Sequence, residues 1–289
     1  MIDAASAELV AHEPEGLEEL DRIEMDLLLE AIHRRWGFDF RGYAPASLRR
    51  RLLRRAREEG LTSMSALQER VLRERSCMDQ LLTDLSISVT SMFRDPAFYR
   101  AFRAKVVPLL RTYPFVRIWN AGCSTGEETH SLAILLEEEG LYERTRIYAT
   151  DVDHVVLDRA RAGAYAIEKM PEYGRNYLHA GGTSSLDRYY ATEGRMARFS
   201  EGLRENIVFA QHNLASDGRF QDFHVITCRN VMIYFGRALQ DRVHELFHAS
   251  LESFGILVLG QKETIRFTSH EAAYEALDRT HRIYRKVAP

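Results

Sequence analysis

The sequence has no apolar run long enough to cross a membrane, and it has few cysteines. No stretch approaches the ~20 consecutive apolar residues of a membrane-spanning helix, and residues 1–16 have neither the basic region nor the apolar run of a signal peptide. Cys77, Cys123 and Cys228 are widely spaced and form no Cys-x-x-Cys pair, which argues against a disulfide framework and a thiolate zinc site. We therefore expect a soluble, cytoplasmic protein with reduced thiols.

Apolar sequence is plentiful, whereas charge is unevenly distributed. The 289 residues are 45% apolar and 28% charged, which suits one sizeable core and a small accessory domain. The formal net charge of -3 is small, but it conceals a strongly basic segment near the N-terminus.

Arginine is concentrated between residues 34 and 57. The nine arginines of this block are Arg34, Arg35, Arg41, Arg49, Arg50, Arg51, Arg54, Arg55 and Arg57. Apolar residues at helical spacing predict a helix over 47–59 with Ser47 as its N-cap. Few acids balance the block, so we interpret it as a surface for an acidic partner; a solvated helix face is the alternative. Because no aromatics are interleaved with the arginines of the predicted helix over 47–59, an acidic protein fits better than nucleic acid.

The periodicity of the chain changes near residue 90. Amphipathic patterns over 17–36 and 64–85 predict further helices, so residues 17–90 are expected to form a helical N-terminal domain after a disordered tail at 1–16. From residue 91 to 289, short apolar strands alternate with helices, which predicts an α/β domain with a mostly parallel sheet. The predicted strands lie at 115–119, 146–150, 207–211, 224–228, 256–260 and 282–286.

The turn after the first predicted strand indicates the ligand. It contains Gly122 and Gly126, which let a ligand approach the backbone, and the second strand ends at Asp151, which can bind ribose hydroxyls. Glu127 and Glu128 follow the turn; carboxylates there would repel a pyrophosphate but can hold an ammonium group. S-adenosylmethionine has an ammonium group, a ribose and no phosphate. We therefore predict a methyltransferase with a Rossmann-like domain, although the glutamates could simply stabilise the helix dipole.

Five stretches of the sequence resemble the CheR family, the protein-glutamate O-methyltransferases that modify chemotaxis receptors. They are ISVTSMFRDP at 87–96, AGCSTGEE at 121–128, ATDVD at 149–153, HNL at 212–214 and CRNVMIYF at 228–235. The resemblance covers about residues 21–287. It implies an all-helical N-terminal domain, a Rossmann-like catalytic domain over 91–289 and a small antiparallel β-subdomain inserted at about 173–204. In the family, that insert can hold a receptor tether.

The resemblance also implies the site residues. Contacts to S-adenosylmethionine would come from Ser88, Thr90, Arg94, Glu128, Asp151, Asn213, Leu214, Arg229 and Asn230. Of these, Glu128 would bind the amino group and Asp151 the ribose. Arg94 and Tyr234 would lie near the transferred methyl as the catalytic residues. The alternatives are structural: Thr90 as a helix cap, Asn213 as the end of a strand and Tyr234 as part of the core.

Methyl transfer to a glutamate requires little chemistry from the enzyme. The attacking carboxylate is already ionised at neutral pH, so no general base is needed, and positioning alone can supply up to ~7–11 kcal/mol. The products would be a glutamyl methyl ester and S-adenosylhomocysteine. Arg50, Arg54 and Arg57 are the expected contacts to acidic methyl-accepting receptor helices. We expect a monomer that binds neither nucleic acid nor a metal and does not insert into a membrane.

Two other functions compete with this interpretation. His244-Glu-Leu-Phe-His248 is a literal H-E-x-x-H motif with Glu263 as a candidate third ligand, which is typical of a zinc metalloprotease. Its helix, however, has the pattern of an ordinary sheet-covering helix, with both histidines toward its edge. The second alternative is a regulatory scaffold that binds the cofactor without catalysis, because 129–130 and 261–262 depart from the wording of familiar family members.

Overall fold

The computed structural model describes residues 15–85 and 90–287. Contacts within the chain group them into two compact units. The helical unit comprises the residues up to 41 together with 45–81, and the α/β unit comprises 42–44 and the residues from 82 onward. In the part of the chain that is described, no helix is long and apolar enough to cross a membrane. The domain limits given above, 17–90 and 91–289, stay predictions.

The helical unit forms because each helix has one apolar face. Its helices are α1 (Glu15–Trp36), α2 (Pro45–Glu58), α3 (Met64–Arg73) and α4 (Arg75–Leu85), the last of which ends in the α/β unit. Leu28, Leu52 and Leu67 are fully buried. Ser63 caps α3 by accepting the N–H of Ala66 at 3.1 Å. The helices predicted for this part of the chain are confirmed. The cap proposed for α2 is wrong, because the helix begins at Pro45 and Ser47 lies inside its first turn.

The α/β unit alternates strands and helices as predicted. Its helices are α5 (Pro96–Lys105), α6 (Val107–Leu110), α7 (Glu127–Glu138), α8 (His154–Ala162), α9 (Met170–His179), α10 (Glu201–Arg204) and α11 (Arg237–Ser250). Its strands are β1 (Val116–Ala121), β2 (Thr145–Asp151), β3 (Ala164–Ala166), β4 (Tyr190–Glu193), β5 (Met196–Phe199), β6 (Ile207–Gln211), β7 (Phe223–Cys228), β8 (Leu251–Leu259), β9 (Tyr274–Asp278) and β10 (Ile283–Lys286).

The main sheet has seven strands in the order β6-β2-β1-β7-β8-β10-β9. Strands β6, β2, β1, β7 and β8 are parallel, and β10 is antiparallel to both of its neighbours. This order confirms the Rossmann-like prediction. The chain leaves β1 for β2 on one side, whereas β7 lies on the other, so the strand order reverses at β1. Ligands of such sheets bind beyond the carboxyl ends of the strands at this point.

Helices cover both faces of the sheet and bury its alternating side chains. On one face, Ile118 of β1 packs in a core cluster with Leu135 of α7. On the other face, the next residue, Trp119, packs with Phe247 of α11 at 5.4 Å between ring centroids. The carboxyl end of β1 is therefore held from both sides.

A second, three-stranded antiparallel sheet has the order β3-β5-β4. It confirms that a small antiparallel element is inserted in this domain. Its first strand, at 164–166, lies upstream of the 173–204 range proposed from the sequence, and helix α9 separates it from the other two strands. Glu138 of α7 accepts hydrogen bonds from Tyr177 of α9 and, at 3.3 Å, from Tyr189 just before β4, which joins this region to the main core.

Candidate cofactor site

A pocket of about 910 Å³, including its open mouth, lies at the carboxyl ends of β1, β2 and β7. The predicted site residues that line it are Thr90, Arg94, Glu128, Asp151, Asn213, Leu214, Arg229, Asn230 and Tyr234. Ser88 lies outside the described residues. Arg50, Arg54 and Arg57 are not part of the pocket and lie on α2 in the helical unit.

The turn after β1 forms the floor of the pocket and requires its glycines. Gly122 has a φ of 74°, and a Cβ there would lie 2.4 Å from Cγ2 of Val231. The N–H groups of Gly122 and Cys123 both donate to Thr150 O, at 2.8 and 2.9 Å, and thereby join the turn to β2. Ser124 adopts a φ of 51° without being glycine. Such strained backbone is typical of ligand sites.

Asp151 is held with its carboxylate facing the pocket. Oδ2 accepts the Ser124 N–H at 2.8 Å, and Oδ1 accepts the Asp153 N–H at 3.1 Å. Each oxygen keeps a further lone pair, which suits two ribose hydroxyls. Burial raises the pKa of Asp151 to about 6, so the group is still mainly ionised at neutral pH.

The two glutamates at the start of α7 face different surroundings. Glu128 lines the pocket, whereas Glu127 is buried and accepts hydrogen bonds from Thr125 Oγ1 at 2.6 Å and Tyr173 Oη at 3.3 Å. Burial raises the pKa of Glu127. Of the pair, Glu128 is therefore the carboxylate placed to receive an ammonium group.

Both carboxylate oxygens of Glu128 already have a partner. Oε1 accepts from Asn120 Nδ2 at 3.0 Å, and Oε2 accepts from Arg229 Nη1 at 2.8 Å. Asn120 is itself fixed, since its side chain also donates to Thr227 Oγ1 at 2.9 Å and accepts from Thr129 Oγ1 at 2.6 Å. Glu128 is thus oriented before any ligand binds. Neither Asn120 nor Thr227 was identified from the sequence.

Arg229 supports other pocket residues in addition to lining the pocket. Its side chain is almost completely buried, with Nη2 at 2.9 Å from Asp95 Oδ2 and the guanidinium 4.1 Å from the Phe98 ring centroid. Nη2 also lies 3.4 Å from the carbonyl oxygen of Arg94. The family resemblance implied that Arg229 contacts S-adenosylmethionine. The geometry adds that Arg229 holds Glu128 and the segment that carries Arg94.

That segment, residues 90–95, has two non-glycine residues in the left-handed region. Phe93 has a φ of 51° and Asp95 a φ of 58°. The Phe93 N–H donates to Ser131 Oγ at 2.9 Å, and its buried ring packs edge-on against Tyr99 at 5.1 Å between centroids. These contacts offset a strain that typically costs ~1–3 kcal/mol per residue. The strained backbone presents Arg94 to the pocket.

Residues 229–235 form what we call the pocket loop, and Glu263 fixes it. The buried carboxylate of Glu263 accepts four backbone N–H groups, from Asn230 at 3.0 Å, Val231 at 2.9 Å, Met232 at 2.8 Å and Gly260 at 2.6 Å. It stabilises Asn230 at a φ of 62°. From the sequence, Glu263 was weighed only as a zinc ligand; its contribution to the pocket was missed.

Tyr43 is another pocket residue that the sequence did not reveal. Residues 42–44 form a short antiparallel bridge with the pocket loop, in which the Ala44 N–H donates to Tyr234 O at 2.9 Å and the Gly236 N–H to Gly42 O at 2.7 Å. The ring of Tyr43 lies 4.8 Å from that of Phe235. Tyr43 and Tyr234 therefore line the pocket from paired backbone segments.

The H-E-x-x-H motif of α11 belongs to the packing of the sheet. His244 is buried rather than at the edge of the helix, and burial lowers its pKa to about 4. His248 stacks on His270, 4.4 Å between centroids, and Glu263 is engaged by the pocket loop. Within residues 15–85 and 90–287, no group of three His, Cys, Asp or Glu side chains could hold a metal ion.

The pocket residues fit S-adenosylmethionine. Glu128 supplies a fixed anion for the ammonium group, and Asp151 has free lone pairs for the ribose. Leu214 is buried and adds an apolar side chain to the lining, which suits a flat adenine ring. Cys123 also lines the pocket. Burial raises the pKa of its thiol well above the usual value, which keeps the thiol uncharged.

Comparison with known proteins returns one family over most of the chain. Residues 88–283 match the family model described as CheR methyltransferase, SAM binding domain, and residues 23–86 match CheR methyltransferase, all-alpha domain. The chain is 49% identical to Cher3 of Pseudomonas putida over 91% of this chain and 97% of that protein. It is 31% identical to chemotaxis protein methyltransferase 2 of Pseudomonas aeruginosa over 86% of this chain and 89% of that protein. It is 28% identical to the chemotaxis protein methyltransferase of Listeria monocytogenes over 84% of this chain and 91% of that protein.

Proposed function

Since this chain belongs to the CheR methyltransferase family and its cofactor is S-adenosylmethionine, we propose that it methylates glutamate side chains of chemoreceptor-type signalling proteins. The names of its relatives support this substrate class, because several are chemotaxis protein methyltransferases. The observation that carries the proposal is the lining of a single pocket by Arg94 and Tyr234 together with the cofactor acids Glu128 and Asp151.

The proposed reaction is an in-line displacement at the methyl group. When bound, S-adenosylmethionine supplies a methyl group activated by its sulfonium. A glutamate carboxylate attacks through one oxygen, the sulfur–methyl bond breaks, and S-adenosylhomocysteine leaves with the electron pair. The nucleophile is ionised above its usual pKa of about 4.3, so no residue has to remove a proton.

Arg94 and Tyr234 position the nucleophile in this scheme. The Arg94 guanidinium attracts the carboxylate, and the Tyr234 hydroxyl guides it with a weaker hydrogen bond that leaves one oxygen reactive. The strained 90–95 segment and the bridge between Tyr234 and Ala44 hold their backbones in place. In an enzyme that needs no general acid or base, such positioning of the reactants is the main way to accelerate the reaction.

Substrate binding is proposed for the arginine face of α2. Arg50, Arg54 and Arg57 are exposed there, whereas neighbouring arginines are neutralised within the unit, for example Arg49 by Asp21. Arg54 is about half exposed, and its Nε lies 3.7 Å from Glu58 Oε1. An acidic receptor helix suits this face. A tether at the small antiparallel sheet, a cytoplasmic location and a monomeric state stay predictions.

A transfer assay tests the proposed function. The protein is incubated with S-adenosylmethionine labelled in its methyl group and with an acidic coiled-coil fragment of a chemoreceptor. We expect label in the fragment that mild base releases as methanol, the behaviour of a methyl ester, and no label when its glutamates are replaced by glutamine. Base-stable label would indicate a different acceptor atom. Tight binding of S-adenosylhomocysteine without any transfer would favour the regulatory scaffold.

A further inference from the structure

The loop that follows β8, residues 261–268, carries the most exposed apolar side chain among the described large hydrophobics. The ring of Phe267 is 82% exposed, and its backbone adopts a φ of 64°. A bulky aromatic residue rarely occupies this left-handed region, in which glycine or asparagine is at ease. Phe267 therefore has two unfavourable features at once, exposure and strain, and no buried contact offsets them.

The backbone around Phe267 is nevertheless well fixed. Its N–H donates to Glu271 Oε2 at 2.8 Å, and its carbonyl oxygen accepts from Arg237 Nη2. The Thr268 N–H and hydroxyl both donate to Ile265 O, at 3.2 and 2.6 Å. The turn is thus held by four hydrogen bonds, so the fold presents the ring to solvent in a defined place.

This 261–268 loop is fastened to the pocket loop. Glu263 binds the N–H groups of Asn230 and Val231, both of which line the pocket. Arg237, which bonds the Phe267 carbonyl, lies three residues after Tyr234. The 261–268 loop is therefore anchored to the same stretch of chain that carries Tyr234.

Strain and exposure alone do not single out Phe267, because Phe254 has both. Phe254 is 62% exposed with a φ of 64°. It lies in the amino-terminal half of β8, whereas the pocket lies beyond the carboxyl ends of the parallel strands. The nearby acid Glu252 is paired with Arg117 at 2.8 Å. The two phenylalanines differ in position and in neighbouring charge.

Unbalanced positive charge distinguishes the 261–268 loop. Lys262 and Arg266 are exposed, and neither forms an ion pair with any residue in the described ranges. The nearby Arg237 is offset by Asp241 at 3.4 Å. The loop therefore combines one apolar anchor with two cations, which complements a helix that has acidic and apolar faces.

We propose that the 261–268 loop is a second docking surface for the substrate, in which Phe267 packs against the apolar flank of the glutamate-bearing helix and Lys262 and Arg266 pair with acids beside the reactive glutamate. This inference rests on the proposed function and extends it. The helix is recognised next to the site of methyl transfer as well as at the arginines of α2, so the loop selects which glutamate reaches Tyr234.

The test compares Phe267→Asn with the matched control Phe254→Asn. Asparagine tolerates the left-handed backbone, so both variants should melt at or above the temperature of the parent. Phe267→Asn should raise the KM for the receptor fragment by about tenfold, which corresponds to about 1.4 kcal/mol of binding, with kcat and the affinity for S-adenosylhomocysteine unchanged. Phe254→Asn should change none of these. An unchanged KM in Phe267→Asn, or an equal rise in both variants, would overturn the proposal.

A charge reversal provides an independent test. Lys262→Glu combined with Arg266→Glu should raise the same KM at low salt, and the difference should shrink as salt is added. No rise at low salt would rule out an acidic partner. Sedimentation with phosphatidylserine vesicles examines the other candidate: vesicle binding lost in Phe267→Asn at unchanged KM would assign the loop to a lipid surface and overturn the proposal. If the parent protein transfers no methyl to any receptor fragment, the proposed function itself fails, which is distinguishable from failure of the loop variants alone.

Discussion

The cofactor pocket and the arginine face of α2 use charge in opposite ways. In the pocket, Arg229 is buried between Glu128 and Asp95, and each acid is fixed before a ligand arrives. On α2, Arg50 and Arg57 are exposed to solvent. Buried ion pairs cost several kcal/mol when one partner is removed, whereas exposed pairs contribute ~0.2–1 kcal/mol and are screened by salt. Substitutions in the pocket should therefore reduce stability or cofactor binding strongly, whereas substitutions on the helix face should mainly change how fast a partner associates.

Removing the buried cation should have the largest effect. In Arg229→Met, Glu128 and Asp95 lose their shared partner, so we expect the free energy of unfolding to fall by about 3 kcal/mol, the lower end of the range for a broken buried pair because Asp95 is partly exposed. Urea unfolding measures this, and added salt should not restore it. Arg54→Met on α2 is the control and should change stability by less than about 0.5 kcal/mol. If both variants lost the same free energy of unfolding, the proposed difference between the pocket and the helix face would be wrong.

Removing the proposed ribose contact should have the second largest effect. Asp151→Ala removes the acceptor for two hydroxyls and should weaken the binding of S-adenosylhomocysteine by ~1.5–3 kcal/mol, the range for hydrogen bonds to charged groups. Isothermal calorimetry measures it. Thr129→Ser, a change behind the pocket wall that keeps the hydroxyl donated to Asn120, should bind almost as the parent does. Parental affinity in Asp151→Ala would show that the ribose assignment is wrong.

The same residue predicts a pH dependence. Burial raises the pKa of Asp151 to about 6, and ribose hydroxyls donate to the ionised form, so binding favours the carboxylate. Affinity should be full above pH 7 and fall as the pH is lowered through 6, by about tenfold at pH 5 if only the ionised form binds. Asp151→Asn should flatten the profile, because an amide does not titrate in this range. A profile that keeps its full slope in Asp151→Asn would assign the titration to another group.

Tyr234→Phe should act on turnover rather than on binding. Removing the hydroxyl that guides the carboxylate should lower kcat by about tenfold, equivalent to about 1.4 kcal/mol of activation free energy. Affinity for S-adenosylhomocysteine should stay unchanged. Arg94→Ala should reduce both quantities, since Arg94 is expected to contact the cofactor as well. If Tyr234→Phe turns over at the parental rate, the tyrosine is not catalytic.

Local patterns in the sequence were sufficient for most strands of the main sheet and for the first part of the site. The strands next to Gly122 and Asp151 could be predicted because buried parallel strands are continuous apolar runs, and the carboxyl ends of such strands meet in space. Strand β9 was missed because it lies at the sheet edge, where Tyr274 is its one buried residue. Its apolar pattern is therefore weak.

The rest of the site depends on contacts between distant parts of the chain. Glu128 and Arg229 are 101 positions apart, and the bridge from Tyr43 to Phe235 spans most of the protein. Neither pairing leaves a local signature. For Glu263, the acceptor of four backbone N–H groups, the only local signal was a polar residue just beyond a buried strand, which does not distinguish a fixed loop from an ordinary turn.

The smallest individual effects should come from the arginine face. Reversing Arg50, Arg54 and Arg57 to glutamate removes exposed interactions worth ~0.2–1 kcal/mol each, so the KM for receptor should rise at low salt and approach the parental value as salt shortens the ~10 Å Debye length at 0.1 M. Steady-state kinetics at several salt concentrations measure this. Reversing Arg73, an exposed arginine of α3 paired within its own helix, is the control. A triple variant that methylates receptor normally but has lost RNA or DNA binding would reopen the substrate assignment.

One calorimetric experiment tests the separation of the two regions most directly. S-adenosylhomocysteine is titrated into the parent, Asp151→Ala, the α2 triple variant and the combination of both. We expect only two affinities among the four proteins. The triple variant should bind S-adenosylhomocysteine as the parent does, and the combined variant should bind it as Asp151→Ala does. The reason is that all the residues lining the pocket belong to the α/β unit. If the α2 triple variant alone weakens binding as much as Asp151→Ala does, cofactor recognition is not confined to the pocket and the account is contradicted.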